Sequence, residues 1–336
     1  MTKPSILVTG GAGYIGSHAV LALLDAGYPV VVVDNLVTGF RWAVDPRATF
    51  VEADISDDEK VRGAMHDHRI GAVMHFAGSV VVPESVSDPL KYYRNNTAAS
   101  RSLIESTVAC GVKHFIFSST AATYGTPERV PIAESDPTRP INPYGMSKLM
   151  TEAMLKDVAQ AHAFNFCALR YFNVAGADPA GRTGQSTTGA THLIKVAVEA
   201  ALGKRDHVGV FGTDFDTSDG TGVRDYIHVS DLAAAHVNAL ELLLDEPTRS
   251  HILNCGYGHG YSVLEVLDAV DRVTNMTITR RFDDRRPGDP AALIADNSAI
   301  LAALPWRPRF DNLERIVADA LVWERKLATR VERHDA

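Results

Sequence analysis

Ser5-Ile6-Leu7-Val8-Thr9-Gly10-Gly11-Ala12-Gly13-Tyr14-Ile15-Gly16-Ser17-His18 stands almost at the start of the chain. An apolar run of strand type leads into glycines at 10, 11, 13 and 16, and an amphipathic pattern then continues to residue 26. Glycines let such a turn tighten and let backbone N–H groups approach a pyrophosphate at a helix N-terminus. Gly10, Gly13 and Gly16 are therefore expected to cradle a dinucleotide. The next apolar run, 30–33, ends in Asp34, where a carboxylate accepts bonds from the adenosine ribose hydroxyls. A carboxylate there repels a 2′-phosphate, so NAD is expected rather than NADP.

Outward from this stretch, strand and helix patterns alternate to residue 172. Strands are predicted at 6–9, 30–34, 49–53, 72–76, 114–118 and 166–171, with helices at 14–26, 57–67, 88–110 and 143–162. Near-continuous apolar runs suit a parallel sheet covered on both faces. The expected fold is a doubly wound α/β sheet (Rossmann) whose ligand lies beyond the carboxyl ends of the strands. After Asn173 the rhythm loosens. Residues 176–189 and 214–222 read as polar loops, with helices at 192–202, 231–244, 263–275 and 313–329 and strands at 208–211 and 252–254. Ser262-x-x-Glu265 is a capping-box pattern. A chain of 336 residues is long for one core, so two lobes are expected. Residues 1–172, with segments around 222–255 returning to them, form the dinucleotide-binding domain; 173–221 and 256–336 form a smaller, mixed α/β substrate lobe.

Hydrophobic residues make up 46% of the chain and charged residues 22%, a globular composition. No apolar run approaches the roughly 18 residues of a membrane span. The first strand begins too early for a leader peptide. A net charge of −8 without a long basic run argues against nucleic acid and anionic membranes as partners. An anionic substrate then requires locally placed arginines. Cys110, Cys167 and Cys255 are scattered and lack C-x-x-C spacing, so neither a disulfide framework nor a zinc site is expected. A reducing cytoplasm fits. The histidines do not cluster as ligands, and no metal is predicted. His75, ending an apolar strand, reads as a structural histidine.

Asn142-Pro143-Tyr144-Gly145-Met146-Ser147-Lys148 reads as a helix start, with Asn142 as N-cap and Pro143 at the first helical position. Positions i and i+4 share a helix face, so the Tyr144 phenol is expected beside the Lys148 ammonium. A free phenol has a pKa near 10, and half-ionising it at pH 7 requires a shift of about 3 units, roughly 4 kcal/mol. A neighbouring cation favours the anion. The pair can thus act as a general base toward a sugar or alcohol hydroxyl. Alone, such a pair is common on surface helices; the glycine turn and Asp34 raise its weight.

Together these motifs resemble the extended short-chain dehydrogenase/reductase family, and within it the UDP-glucose 4-epimerases (UDP-galactose 4-epimerases). The similarity spans nearly the whole length: TGGAGYIGS at 9–17, DNL at 34–36, ADI at 53–55, HFAG at 75–78, SVVVPES at 79–85 and YYRNN at 92–96. It continues with FSSTAATYG at 117–125, NPYGMSK at 142–148, RYFNVAGAD at 170–178, DGTGVRDYIHVSDL at 219–232 and RRPGDPAALIAD at 285–296. The GTGVRDYIHV and RRPGDPA segments are the most specific. The resemblance implies NAD-dependent inversion at C4 of a UDP-hexose through a transient 4-keto sugar, without net redox. Tyr144 then removes the 4-hydroxyl proton, Lys148 lowers its pKa and holds nicotinamide-ribose hydroxyls, and Thr120 orients the sugar oxygen. Further cofactor contacts are implied for Tyr14, Ile15, Asn35, Asp54, Ile55, Phe76, Ala77, Asn95 and Tyr171. Arg224 and Arg286 match arginines that meet the pyrophosphate, a task suited to bidentate guanidinium bonds. Asn173 matches a residue near UDP and sugar, and Tyr226 and Asp289 match substrate contacts. The resemblance also implies a homodimer, with helices 88–110 and 143–162 as interface candidates.

Alternatives stand beside some of these roles. Asp54 either caps a turn or meets adenine, the second being preferred. Asn95 either caps local backbone or faces the cofactor, again with the second preferred. The chain also departs from the family pattern. Thr120 adds a methyl relative to the usual serine. Val80 replaces a lysine of some members. Leu293 falls where members vary between tyrosine and smaller residues lining the sugar pocket. Nucleotide-sugar 4,6-dehydratases follow the threonine with an acidic pair, and sugar-acid decarboxylases use a glutamate at the second of these positions. Here Ala121 and Ala122 follow Thr120. A non-catalytic NAD-sensing regulator is a third reading, disfavoured by the retained Tyr144 and Lys148. Among epimerase substrates, UDP-N-acetylglucosamine and UDP-pentoses stand as alternatives to UDP-glucose.

Overall fold

A computed structural model describes residues 3–286 and 288–332. The first half runs through β1 (Ser5–Thr9), α1 (Tyr14–Asp25), β2 (Val30–Asp34), β3 (Thr49–Glu52), α2 (Asp58–Asp67), β4 (Ile70–His75), α3 (Val82–Ser87), α4 (Pro89–Tyr92), α5 (Ala99–Ala109), β5 (His114–Thr120), α6 (Pro143–Ala161) and β6 (Asn165–Tyr171). The second half adds β7 (Asn173–Ala175), α7 (Leu193–Ala201), β8 (Val208–Phe211), β9 (Val223–Arg224), β10 (Tyr226–His228), α8 (Val229–Asp245) and β11 (His251–Cys255). It ends with β12 (Tyr261–Ser262), α9 (Val263–Thr274), β13 (Arg280–Asp283), β14 (Ala292–Leu293), α10 (Ser298–Ala303) and α11 (Leu313–Glu332).

Seven strands form one parallel sheet in the order β3-β2-β1-β4-β5-β6-β11. The predicted doubly wound sheet is therefore observed. Its apolar runs lack alternation because both faces are covered. Ile6 and Val8 of β1 join the core layer that holds Ala19, Val20 and Leu23 of α1, while Leu7 joins the opposite layer with Val61 and Met65 of α2 and Leu103 of α5. Full burial of such a side chain contributes about 1.5–3 kcal/mol. α8 packs against α1 and across β5 and β6, where Ile116, Cys167 and Leu169 share its layer.

From β1 the chain builds outward through β2 and β3, then crosses back to β4 and continues the other way. The crevice of a doubly wound sheet lies at this reversal, between β1 and β4. The two loops there meet closely. Gly10 has φ +70°, and a Cβ on it would lie 2.6 Å from the Ala77 nitrogen. A Cβ on Gly16 would lie 2.1 Å from the Gly10 carbonyl oxygen.

Local signals predicted several helix ends. Asn142 accepts the Gly145 N–H at 2.8 Å, with Pro143 opening α6. Ser262 and Glu265 form the capping box of α9. The predicted helix 88–110 is interrupted instead. Asp88 caps α4 as expected, but a π-helical turn, Tyr93–Ala98, separates α4 from α5. A π turn shifts the helical phase without any proline or glycine to mark it. Here it delivers Asn96 to Ser79: Asn96 Oδ1 accepts the Ser79 N–H at 2.7 Å, and its amide donates to the Ser79 carbonyl at 2.9 Å.

The remaining strands make three small sheets: β7 with β10 and β8 with β13, both parallel, and β9 between antiparallel β12 and parallel β14. Asp225 ties them together. Its carboxylate accepts N–H bonds from Tyr257, Gly258 and Ala295. α11 closes the molecule over loop 176–189, where Lys326 donates to the Gly181 carbonyl and the Trp323 indole lies against Gly184. Among the described residues, no helix is long and apolar enough to cross a membrane.

Candidate active site

The glycine turn and Asp34 form one unit. Gly10 donates to the Val33 carbonyl at 3.0 Å, and Gly13 donates to the Gly10 carbonyl at 3.1 Å as N-cap of α1. Asp34 is buried and accepts the Ala12 N–H at 2.9 Å and the Leu36 N–H at 2.8 Å. A carboxylate has about four acceptor sites, so acceptor capacity remains. Tyr14 donates its hydroxyl to the Gly176 carbonyl at 2.7 Å, and Ile15 packs on the core. Asn35 donates to Asp54 at 2.9 Å. The other Asp54 oxygen accepts the Ser56 N–H and hydroxyl, the turn-capping arrangement. Burial would raise the Asp54 carboxyl, but the bonds from Ser56 and Asn35 outweigh it and hold it below the usual range. Ile55 is buried beside this turn. Phe76 follows β4 and lies against His236, and Ala77 abuts Gly10.

The second group gathers at the ends of β5 and β6 and the start of α6. Thr120 Oγ1 accepts the Ala122 N–H at 3.1 Å and lies near enough to the Tyr144 phenol to ease its ionisation. Lys148 is buried and donates to the Ser118 carbonyl at 2.9 Å, with its Nζ 4.9 Å from the centre of the Phe117 ring. The Tyr171 hydroxyl is bonded to the Ser118 hydroxyl. Burial pulls Lys148 down to about 8. The expected depression of Tyr144 is not what this arrangement produces. Burial raises the phenol above its ordinary value, nearby Thr120 opposes it, and the Lys148 amine is turned to Ser118.

Two further phenols flank Tyr144 but are held neutral. Burial and the Glu84 carboxylate push Tyr92 well up, and burial does the same to Tyr171. Tyr92 stands perpendicular to Tyr144 at 6.4 Å between ring centres. Asn95 donates to the Ser79 hydroxyl at 3.1 Å, which is not local backbone capping. Tyr92 and Asn96 were given no role of their own in the sequence, although the YYRNN motif at 92–96 contains both. His75 is structural, as expected. Its ring nitrogens meet Thr9 at 2.7 Å and Ser100 at 2.8 Å, and burial, with nearby Lys148, lowers it to about 3.

The third group is cationic. Arg224 is half-buried on β9, and its only hydrogen bond among the described residues goes to the Val223 carbonyl at 2.8 Å. Burial lowers its pKa, partly offset by the Asp289 charge. A buried guanidinium without a carboxylate in contact leaves donors free for an anion. Arg286 is exposed and sits 3.7 Å over the Phe211 ring. Leu293 pairs with Arg224 in register and packs on the cluster that contains Ala121. β14 thus brings the strand that carries Arg224 beside the apolar cluster that follows Thr120. Asn173 and Tyr226 pair across β7 and β10 and line one cavity. Burial, eased by Arg224, pushes the Tyr226 phenol up to about 12.

The sequence profile of the NAD dependent epimerase/dehydratase family matches residues 6–256. The chain belongs to this family. As a member of the epimerase/dehydratase family it is an NAD-dependent enzyme. It is 57% identical over 329 residues to the UDP-glucose 4-epimerase of Azospirillum brasilense, covering 98% of this chain and 94% of that protein. Among solved structures, the UDP-glucose-4-epimerase from Stenotrophomonas maltophila with bound NAD and formylated UDP-arabinopyranose matches with a TM-score of 0.94 at 40% identity, covering 97% of this chain and 99% of that one. The UDP-Glc/GlcNAc 4-epimerase from Campylobacter jejuni matches with a TM-score of 0.85 at 46% identity, covering 96% and 99%. The cradle of this epimerase/dehydratase fits the dinucleotide. Gly10 and Gly16 let the turn pack tightly on itself and on Ala77, which keeps the N-terminus of α1 at the sheet's carboxyl edge, and Asp34 retains acceptors at the end of β2.

Proposed function

We propose that this enzyme interconverts UDP-glucose and UDP-galactose by inverting C4 through a transient 4-keto sugar. Bound NAD supplies the acceptor for the C4 hydride. Tyr144 takes the proton of the 4-hydroxyl, and Thr120 holds that oxygen and the phenol in line. Lys148 supplies the cation that offsets burial of the phenolate and holds ribose hydroxyls. Arg224 and Arg286 grip the pyrophosphate, with Asn173, Tyr226 and Asp289 as further substrate contacts. After the sugar turns about its link to UDP, Tyr144 returns the proton to the 4-oxygen, and the bound cofactor would be what restores the hydride. Firm holding of UDP and loose holding of the sugar are what this cycle requires. The carrying observation is the half-buried Arg224 guanidinium, without a carboxylate partner among the described residues, on β9 beside Leu293, which packs on the cluster that holds Ala121, next in sequence to Thr120. Ala121 and Ala122 provide no acid or base for dehydration or decarboxylation.

The test is to supply UDP-galactose to the purified protein with and without added NAD. UDP-glucose is the expected product. Its absence under both conditions, or release of a dehydrated sugar, overturns the proposal.

The cofactor reading assigns residues 1–172 and 222–255 to NAD, and 173–221 and 256–336 to the UDP-sugar. Support comes from β11 in the main sheet and from α8 against α1. Gly10, Gly13, Tyr14, Ile15, Gly16, Asp34, Asn35, Asp54, Ile55, Phe76, Ala77, Asn95 and Tyr171 are the proposed NAD contacts beside Tyr144 and Lys148. Asp34→Ala should weaken NAD retention and narrow the preference over NADP. Equilibrium titration with both dinucleotides measures this; a protein that prefers NADP before mutation excludes the Asp34 role. We also propose a cytoplasmic homodimer. Free thiols at Cys110, Cys167 and Cys255 favour a reducing compartment, and exposed Leu90 and Met150 favour an interface through α4 and α6. Light scattering of the parent and of Leu90→Glu tests the dimer.

A second substrate is favoured by Leu293. It offers less bulk than tyrosine and no hydroxyl, leaving room for an N-acetyl group while the sugar turns. Some activity on UDP-N-acetylglucosamine is expected. Leu293→Tyr should then depress kcat/KM for the N-acetyl sugar more than for UDP-glucose. Equal losses remove Leu293 as the gate.

A further inference from the structure

We infer that the buried pair Glu152–Arg170 is a positioning device that sets the spacing between Thr120 and Tyr144. The inference rests on the reading of Tyr144 as the base. Each group of the network adjoins a residue of the site. Tyr144, Lys148 and Glu152 fall at i, i+4 and i+8 on one face of α6. Ser119 precedes Thr120 at the end of β5, and Arg170 precedes Tyr171 at the end of β6. All of these converge on one carboxylate. Glu152 Oε1 accepts the Ser119 hydroxyl at 2.6 Å and Arg170 Nε at 2.9 Å, while Oε2 accepts Arg170 Nη2 at 2.6 Å. Arg170 Nη1 donates to the Tyr124 hydroxyl at 3.0 Å, and Tyr124 donates to Asn254 on β11 at 2.7 Å. Glu152 is 0% exposed and Arg170 3%.

Stability is a poor reason for such a pair. Desolvation offsets most of its Coulomb attraction, and well-packed apolar replacements are often neutral or stabilising. Geometry is the better reason. A planar guanidinium fork on a carboxylate fixes both distance and angle. Here it locks one helix face to two strand ends, and those three segments carry Tyr144 with Lys148, Thr120, and Tyr171. Thr120 ends β5 and Tyr144 opens α6, so the two stand on either side of this joint. A shift at that joint misplaces the hydroxyl against the phenol without touching Arg224 or Arg286.

The experiment compares the double variant Glu152→Leu/Arg170→Met with Tyr144→Phe. The double variant is expected to melt near the parent temperature and to bind UDP as the parent does. Its kcat should fall about 10- to 100-fold with KM unchanged, because misplacement by about 1 Å costs about that much. Parent kcat in the folded double variant, with Tyr144→Phe inactive, overturns this inference and leaves the base standing. A rise in KM together with a lowered melting temperature marks a merely structural pair and overturns it too. Full activity of Tyr144→Phe removes both readings. Where the double variant does not fold, Ser119→Ala carries the test, since it deletes only the bond between strand and carboxylate. A lower kcat at constant KM in that variant supports the inference, and parent kcat overturns it.

Discussion

Tyr144→Phe should lower kcat by about 10²–10⁴-fold, the usual worth of a general acid–base group, while NAD stays bound. The substitution removes the proton acceptor and almost no volume. The structure sharpens the expectation. Tyr92 and Tyr171 stand near enough to act as substitutes, yet burial holds both neutral, with Glu84 adding to that effect at Tyr92. Ser118 eases the anion of Tyr171 as Thr120 eases that of Tyr144, but only Tyr144 lies at i and i+4 with Lys148 on α6. Burial raises Tyr144, so the rate should climb as pH rises toward its pKa. Lys148→Met removes the buried cation, and the acid limb of the pH–rate profile should move to higher pH. An unchanged turnover rate in Tyr144→Phe excludes it as the base, and an unmoved acid limb in Lys148→Met excludes that role for the lysine.

Arg224→Ala should weaken UDP binding roughly 10- to 150-fold, the equivalent of about 1.5–3 kcal/mol for charge-assisted bonds. The guanidinium is half-buried and has no carboxylate in contact among the described residues, so its charge is available to a phosphate. Arg286 is exposed and stacked on Phe211, and a smaller loss is expected for Arg286→Ala. Arg224→Lys should recover only part of the affinity, since an ammonium keeps the charge but not the planar fork. Calorimetric titration with UDP reads all three. Parent affinity in both alanine variants means that the arginines do not meet the pyrophosphate.

The sheet was legible in the sequence because β1, β2 and β6 hold unbroken apolar runs, at 6–8, 30–33 and 166–169. The helix starts were legible because Asn142, Asp88 and Ser262 announce them with capping side chains. Strands β7, β9, β10, β12 and β14 span two or three residues each, too few for any periodicity. The π turn at Tyr93–Ala98 left no mark in composition. Spacing placed Tyr144 and Lys148 on one face, but it carried no information about burial or about the Ser118 carbonyl that takes the amine. Burial is a property of the whole packing, and it reverses the expected direction for Tyr144. The Ser119–Glu152–Arg170 junction was hidden for the same reason, since its members lie on three segments far apart in sequence.

The position of α8 bears on how the chain is made. This helix covers β5 and β6, yet it is synthesised about 60 residues after β6 and about 110 after β5 (229 against 171 and 120). While it is still missing, Ile116, Cys167 and Leu169 face water on the growing chain. Exposed apolar sheet surface of this kind is what aggregates in partly made proteins. Ribosome-bound chains halted near residue 215, with β6 just clear of the exit tunnel and α8 not yet made, should therefore bind a holdase chaperone strongly. Chains halted some 40 residues beyond Asp245, once α8 has cleared the exit tunnel, should release it.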